Sequence, residues 1–531
     1  MMRFAKALLI GAIILMPMMT VAMAAGNGDI KLGYIVLDET GNLSGNRTTF
    51  NDYEGASLSL ENFRYDFKNG MLLRANLRNM TMNNRNLTAD IGKAGLFSLK
   101  LSHNQFRRIY DFHGGSTTRR HNEGASLSFH PVGYIELFGG GANMGRTGST
   151  TDLFSPSPIG DKVDVDYKQY FYNGGARVTY RGMMVAGEFR ANQFRDNLDV
   201  NRNQNRREGR VSASIPIPRY EWIILQGGFR NFETKYKKVE GFHTQDRIYR
   251  ASDFTISSNR GWGAAAFALP KNFSLKYYVM LDRTSSDSDY TATDNLVHAL
   301  YAGFTNLRYG GMTIGYQHDI NDQYLEQTKA NSFYGSGWFR PVPRAELRAE
   351  YGNRAEDVKE GVRLVGNEDL NRFRVSGKYR YTDIGNIAVK YESKVRKNDD
   401  IGSKITLNRA TIDCGVTLKK YATVTAGYSY GKGDYENSAS NFKFTDHLLY
   451  GDIISQEYYR LTAGAGATYY RSKRDLNVES FNIRCSAAFR FYDDMRLEAI
   501  YNVHNFDDFL VRDEYYTANI VEINLIKGLS F

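Results

Sequence analysis

Apolar and polar residues alternate with a period of two along most of this chain, in stretches of about 8 to 13 residues closed by Gly, Asn, Asp or Pro. In residues 272–282, Phe273, Leu275, Tyr277, Val279 and Leu281 alternate with polar neighbours that include Ser274, Lys276 and Asp282. In residues 344–352, Ala345, Leu347, Ala349 and Tyr351 alternate with Arg344, Glu346, Arg348 and Glu350. A helix would scatter those charges around its circumference, whereas a strand gathers them on one face. The pattern predicts an all-β chain of amphipathic strands.

Very short connections recur, among them Asn69-Gly70, Arg181-Gly182, Pro270-Lys271 and Pro341-Val342-Pro343. They alternate with longer polar stretches at residues 140–170, 231–259, 283–295 and 353–370. Tight turns at one end and long loops at the other mark a bacterial outer-membrane barrel. Keeping every tight turn on one side requires weakly patterned strands at residues 104–112 and 441–449. The result is a single large transmembrane antiparallel up-and-down β-barrel of about 26 strands, within a range of roughly 22 to 26.

Arg3 and Lys6 precede an apolar run that ends at Ala22-Met23-Ala24, the form of a cleaved export signal. The chain therefore divides into a signal peptide, residues 1–24, and an outer-membrane barrel, residues 25–531. The final residues 517–531 alternate Val521, Ile523, Leu525, Leu529 and Phe531 with polar neighbours. This ending is similar to the C-terminal signal read by the barrel assembly machinery, with Phe531 as its last residue. The location expected is the outer membrane of a Gram-negative bacterium, in contact with its lipids.

Composition narrows the classes further. Aromatic residues make up 13 % of the 531 and Gly contributes 50, while hydrophobic residues reach only 42 %. That is too polar for a bundle of spanning helices and too aromatic for a disordered chain. The formal charge of +10 is dispersed, and export makes a nucleic-acid partner improbable. Two cysteines, Cys414 and Cys485, fall on apolar alternation positions, so neither a disulfide nor a metal site is expected.

A sheet spanning hydrocarbon must close on itself with its apolar face outward. Ala345, Leu347, Tyr351, Phe373, Val375, Tyr379 and Tyr381 are expected to meet lipid. The alternates Arg344, Glu346, Arg348 and Glu350, then Arg372, Arg374, Lys378 and Arg380, then Lys390 and Glu392, are expected to face the lumen. Two roles are open to them: pairing into a lattice on the wall, or contacting a partner or solute.

A circular barrel of this strand number would be roughly 50 Å across. No segment of suitable length is left over as a stopper, so no plug domain is expected, and a TonB-type receptor with its large N-terminal plug is set aside. The bore would then hold another polypeptide, or be narrowed by an infolded loop such as residues 140–170 or 231–259.

No catalytic constellation appears. The nine histidines lack metal-ligand spacing, and His318-Asp319 and His504 read as solvated positions near strand ends. Residues 282–294 carry Asp287, Asp289 and Asp294, a pattern open to Ca²⁺ and more often plain soluble surface. No cofactor is expected on this chain and no enzyme activity.

The signal peptide, the many Tyr- and Arg-rich strands, and hairpins such as Ala176-Arg177-Val178-Thr179-Tyr180-Arg181-Gly182 followed by Val185-Ala186-Gly187-Glu188-Phe189-Arg190 resemble the MtrB/PioB family. These are the barrels of porin-cytochrome electron conduits. The C-x-x-C often carried by members is missing here. The resemblance implies a barrel that sheathes a periplasmic multihaem c-type cytochrome and supports transmembrane electron transfer, with an outer-surface cytochrome on the long loops and haem only in those partners. The alternative expectation is a general or solute-specific diffusion porin with an infolded constriction loop.

Overall fold

A computed structural model describes residues 25–43, 53–109, 116–152, 161–198, 202–236, 254–286, 293–323, 326–361, 368–381, 384–418, 421–437, 440–510 and 515–530. The expected signal peptide and Phe531 lie outside them. The described chain forms 26 strands in one antiparallel sheet, β1 to β26 in chain order. The sheet closes between β1 (Ala25–Gly41) and β26 (Tyr515–Ser530), in register from Asn27 opposite Ser530 to Gly41 opposite Tyr516. Closure gives each backbone ladder a partner, the condition for a sheet in hydrocarbon.

The alternation acts as expected. Along β17 (Ala345–Gly361) and β18 (Glu368–Tyr381), Leu347 and Tyr351 are about half exposed, as are Phe373 and Tyr379. These residues share an apolar face that no other part of the described chain covers. Cys414 and Cys485 are free and exposed on the same face, as the sequence pattern requires.

Tight hairpins are held by residues in the left-handed region. Arg181 and Gly182 have φ of 47° and 79°, Lys271 and Asn272 have 60° and 65°, and Tyr459 and Arg460 have 46° and 68°. Positive φ at both central residues is the signature of the type I′ turn, whose twist matches that of the flanking strands.

The long polar stretches are not loops throughout. β7 (Ile135–Asp152) and β8 (Asp161–Tyr180) run through most of residues 140–170. Likewise β11 (Tyr220–Tyr236) and β12 (Phe254–Leu269) enter residues 231–259 from both sides. With 20 residues, β8 rises ~50 Å at a tilt of ~40°, well beyond the ~25 Å apolar band such barrels need. In its far half the parity that carries Tyr172 and Val178 nearer the turn holds Asp164, Asp166 and Lys168, so the apolar band does not continue there. Of residues 104–112, expected as a strand of their own, 104–109 form the end of β5 (Phe97–Ile109) and 110–112 lie outside the described residues, while residues 441–449 begin β22 (Asn441–Ser455).

The wall is shortest at β3 (Met71–Arg78) and β4 (Asn86–Lys93), each 8 residues long. Their connecting segment extends the sheet there: Met80 N–H donates to Leu58 O at 2.8 Å and Gln105 N–H to Arg85 O at 2.9 Å. Met82 from this segment joins Tyr53, Ile35, Tyr516, Ala518 and Ile520 in a buried apolar cluster beside the closing seam.

Candidate functional site

The ten charged residues singled out in the sequence all stand on the polar face or at its short-turn edge. Strand register makes Glu350 the neighbour of Arg374, Arg374 of Glu392 on β19 (Gly385–Asn398), and Glu392 of Arg409 on β20 (Ser403–Leu418). Because side chains two residues apart share a face, each strand also adds its own i,i+2 neighbour.

The product is a set of carboxylates each clamped by several cations. Glu392 accepts from Arg372 at 2.8 Å and pairs with Lys390 at 3.0 Å and Arg374 at 3.3 Å. Arg374 reaches the other way to Glu350, also at 3.3 Å. Glu346 is held by Arg340 at 2.8 Å and by Arg348 at 2.6 Å. Arg344, Lys378 and Arg380 have no ion-pair partner among the described residues, although Lys378 stands opposite Glu346. Of the ten residues seven are cations and three are carboxylates, so the pairing leaves positive charge over.

The same motif recurs on strands the sequence reading did not single out. On β9 (Met183–Asp196) and β10 (Gln204–Ile217), Glu188 binds Arg190 at 2.6 Å and is also held by Arg210. Glu208 binds Arg206 and Arg230, both at 3.1 Å. On β12 and β13 (Phe273–Ser286), Arg260 grips Asp282. The signal was present as Arg206-x-Glu208-x-Arg210, a spacing that fixes one strand face. Pairs this exposed add only ~0–1 kcal/mol each to stability. Their larger effect is on the potential of the wall.

No hydrolytic or metal centre forms among the described residues. His318 shares a hydrogen bond with Asn331 at 2.9 Å, while its neighbour Asp319 is engaged by Arg354. Among the described residues no group of His, Cys, Asp or Glu is arranged to hold a metal. Asp282 and Asp294 of the acidic stretch are tied to Arg260 and Arg283, and Asp287 and Asp289 lie outside the described residues.

No protein-family model and no curated protein matches the chain. Solved structures do match. The siderophore receptor PirA from Pseudomonas aeruginosa aligns at 13 % identity and TM-score 0.51, over 81 % of this chain and 80 % of the receptor. A mutant of the ferric enterobactin receptor PfeA from the same species aligns at 9 % identity and TM-score 0.51, over 95 % of this chain and 81 % of the receptor. PirA from Acinetobacter baumannii aligns at 9 % identity and TM-score 0.51, over 96 % of this chain and 81 % of the receptor. The fold and these likenesses define the class: the protein is a large β-barrel of the Gram-negative outer membrane.

The comparisons correct two expectations. The solved barrels are ligand receptors, whose barrels hold a plug domain. The fold class that stands is the 26-strand antiparallel barrel, without the claim that it has no plug. The expected function falls with the same finding: a wide bore does not require a multihaem cytochrome as its occupant, or an infolded loop as in a porin, since structures named as a siderophore receptor and a ferric enterobactin receptor share this architecture. Neither the cytochrome sheath nor the diffusion porin is retained.

Proposed function

We propose that this barrel is an outer-membrane receptor that takes up a ligand of net negative charge, and that its polar face is the inner wall the ligand meets. The observation carrying the proposal is the surplus of cations on this part of that face: Lys378 and Arg380 have no ion-pair partner among the described residues, and Glu392 is shared by three cations. In a lumen flanked by low-dielectric hydrocarbon, an uncompensated array of one sign concentrates ligands of the other. Supporting this reading, the receptors that share the fold are named for siderophores and for ferric enterobactin, a net-anionic iron chelate.

The test is equilibrium binding of ferric enterobactin and of a neutral iron(III) hydroxamate to the purified barrel. Replacing Lys378 and Arg380 together by Gln is expected to weaken the anionic chelate about tenfold, ~1.4 kcal/mol, and to leave the neutral one unchanged. Equal affinity of wild type and variant for the anionic chelate, or equal weakening of both chelates, would overturn the proposal.

A further inference from the structure

Five consecutive tight turns at the short-turn end each carry an exposed cation. Arg181 lies between β8 and β9, Arg219 between β10 and β11, and Lys271 between β12 and β13. Arg308 follows between β14 (Thr293–Asn306) and β15 (Gly310–Gln323), and Arg344 between β16 (Glu326–Val342) and β17. None of the five has an ion-pair partner among the described residues, and the residues joining these strands include no Asp or Glu. Nearby, Glu346 is already occupied by Arg340 and Arg348, which leaves Glu221 on β11 as an exposed carboxylate close to the arc. The rim is lopsided: beyond β22, Glu457, Asp493 and Asp494 pair with Arg490, Arg460 and Lys527.

Neighbouring turns are two strands apart, ~12 Å along the rim, so the cations form a stripe spaced widely enough for each to meet a separate anion. What that anion is follows from the adjoining side chains. Tyr180, Phe273, Phe304 and Phe339 lie on the apolar face at this same end, and Phe273 and Phe304 pack at 4.9 Å. Aromatic residues in that position form the girdle at the level of the lipid headgroups. The Arg181 guanidinium lies 5.2 Å from the centre of the Tyr180 ring, which brings a cation onto the girdle itself. Arg308 stacks on Tyr309 in the same way at 5.1 Å.

We infer that this arc binds the phosphate headgroups of anionic phospholipids in the leaflet at the short-turn side, the periplasmic leaflet by the usual orientation of such barrels. The stripe distinguishes this part of the circumference from the rim beyond β22, where Arg460, Arg490 and Lys527 are each matched by a carboxylate.

The test reconstitutes the full chain in bilayers of equal phosphatidylglycerol and phosphatidylcholine, extracts it gently and quantifies the lipid retained. Wild type is expected to retain phosphatidylglycerol about tenfold over phosphatidylcholine, with the preference reduced at high salt. A variant with all five cations changed to Gln is expected to show no preference, and one with the arginines changed to Lys is expected to keep it. The gel mobility of unheated against heated protein verifies that each barrel is folded. No preference in wild type, or the same preference in the folded Gln variant, would overturn the inference. Capture of soluble polyglutamate by wild type without phosphatidylglycerol enrichment would also overturn it, pointing to an acidic protein at the rim instead.

Discussion

Arg374 stands directly between Glu350 and Glu392, one on each adjacent strand, and its guanidinium reaches a carboxylate on both sides at 3.3 Å. One side chain thereby links three strands on the polar face. Around it Arg372 and Lys390 converge on the same Glu392, so this carboxylate is the negative centre of a positive neighbourhood.

Removing that centre leaves like charges side by side. Glu392→Gln is expected to destabilise the barrel by about 1 kcal/mol, read from urea unfolding in lipid, and to strengthen binding of ferric enterobactin severalfold. Loss of both stability and binding would mean that the carboxylate orients the cations rather than offsetting them.

The two faces can be mapped by cysteine chemistry. Cys414 and Cys485 should react with a lipid-soluble maleimide and resist a charged one in intact vesicles, since both stand on the apolar face. In a background without them, Arg374→Cys should show the opposite preference and Val375→Cys should match the natural cysteines. Reversal of that order would exchange the faces.

Close packing on the polar face makes one glycine demanding. A Cβ at Gly433 would overlap the Phe444 ring on the neighbouring strand, whereas one at Gly209 would meet nothing within 4 Å. Gly433→Ala is expected to destabilise by ~1–3 kcal/mol and Gly209→Ala to be neutral or mildly stabilising, as judged by the temperature at which the folded gel band is lost. Similar melting of the two variants would contradict the packing described.

At the tight-turn end, the Lys527 ammonium bonded to Asp494 holds that carboxyl below its ordinary value. A depressed carboxylate adds stability above its unfolded value and loses it as pH falls through the folded one. The contribution is therefore present at neutral pH and disappears below roughly pH 4. Comparing melting at neutral and acid pH, Asp494→Asn should lower the melting temperature slightly at pH 7 and leave the acid value unchanged.

Strand number and face assignment were legible because period two leaves no other way to bury Leu347 and Tyr351 while wetting Glu346 and Arg348. Strand length was not. In the far end of β8 the parity that carries Tyr172 and Val178 holds Asp164, Asp166 and Lys168 instead, and the far end of β7 is mostly Gly, Ser and Thr, so both read as loop. The charge wall was seen on β17 to β19 but missed on β9 and β10, where Glu188 and Glu208 carry the same spacing. Occupancy of the bore was beyond reach, because alternation fixes which residues line a wall and says nothing of what passes it.

The seam between the first and last strands pairs Asn27 with Ser530 and Gly41 with Tyr516. Nascent β1 therefore presents a naked hydrogen-bonding edge until β26 has been exported and laid beside it. A chain lacking that hairpin would be an open ribbon whose two free margins invite mispairing, which makes safe assembly an all-or-nothing event decided by the arrival of β26.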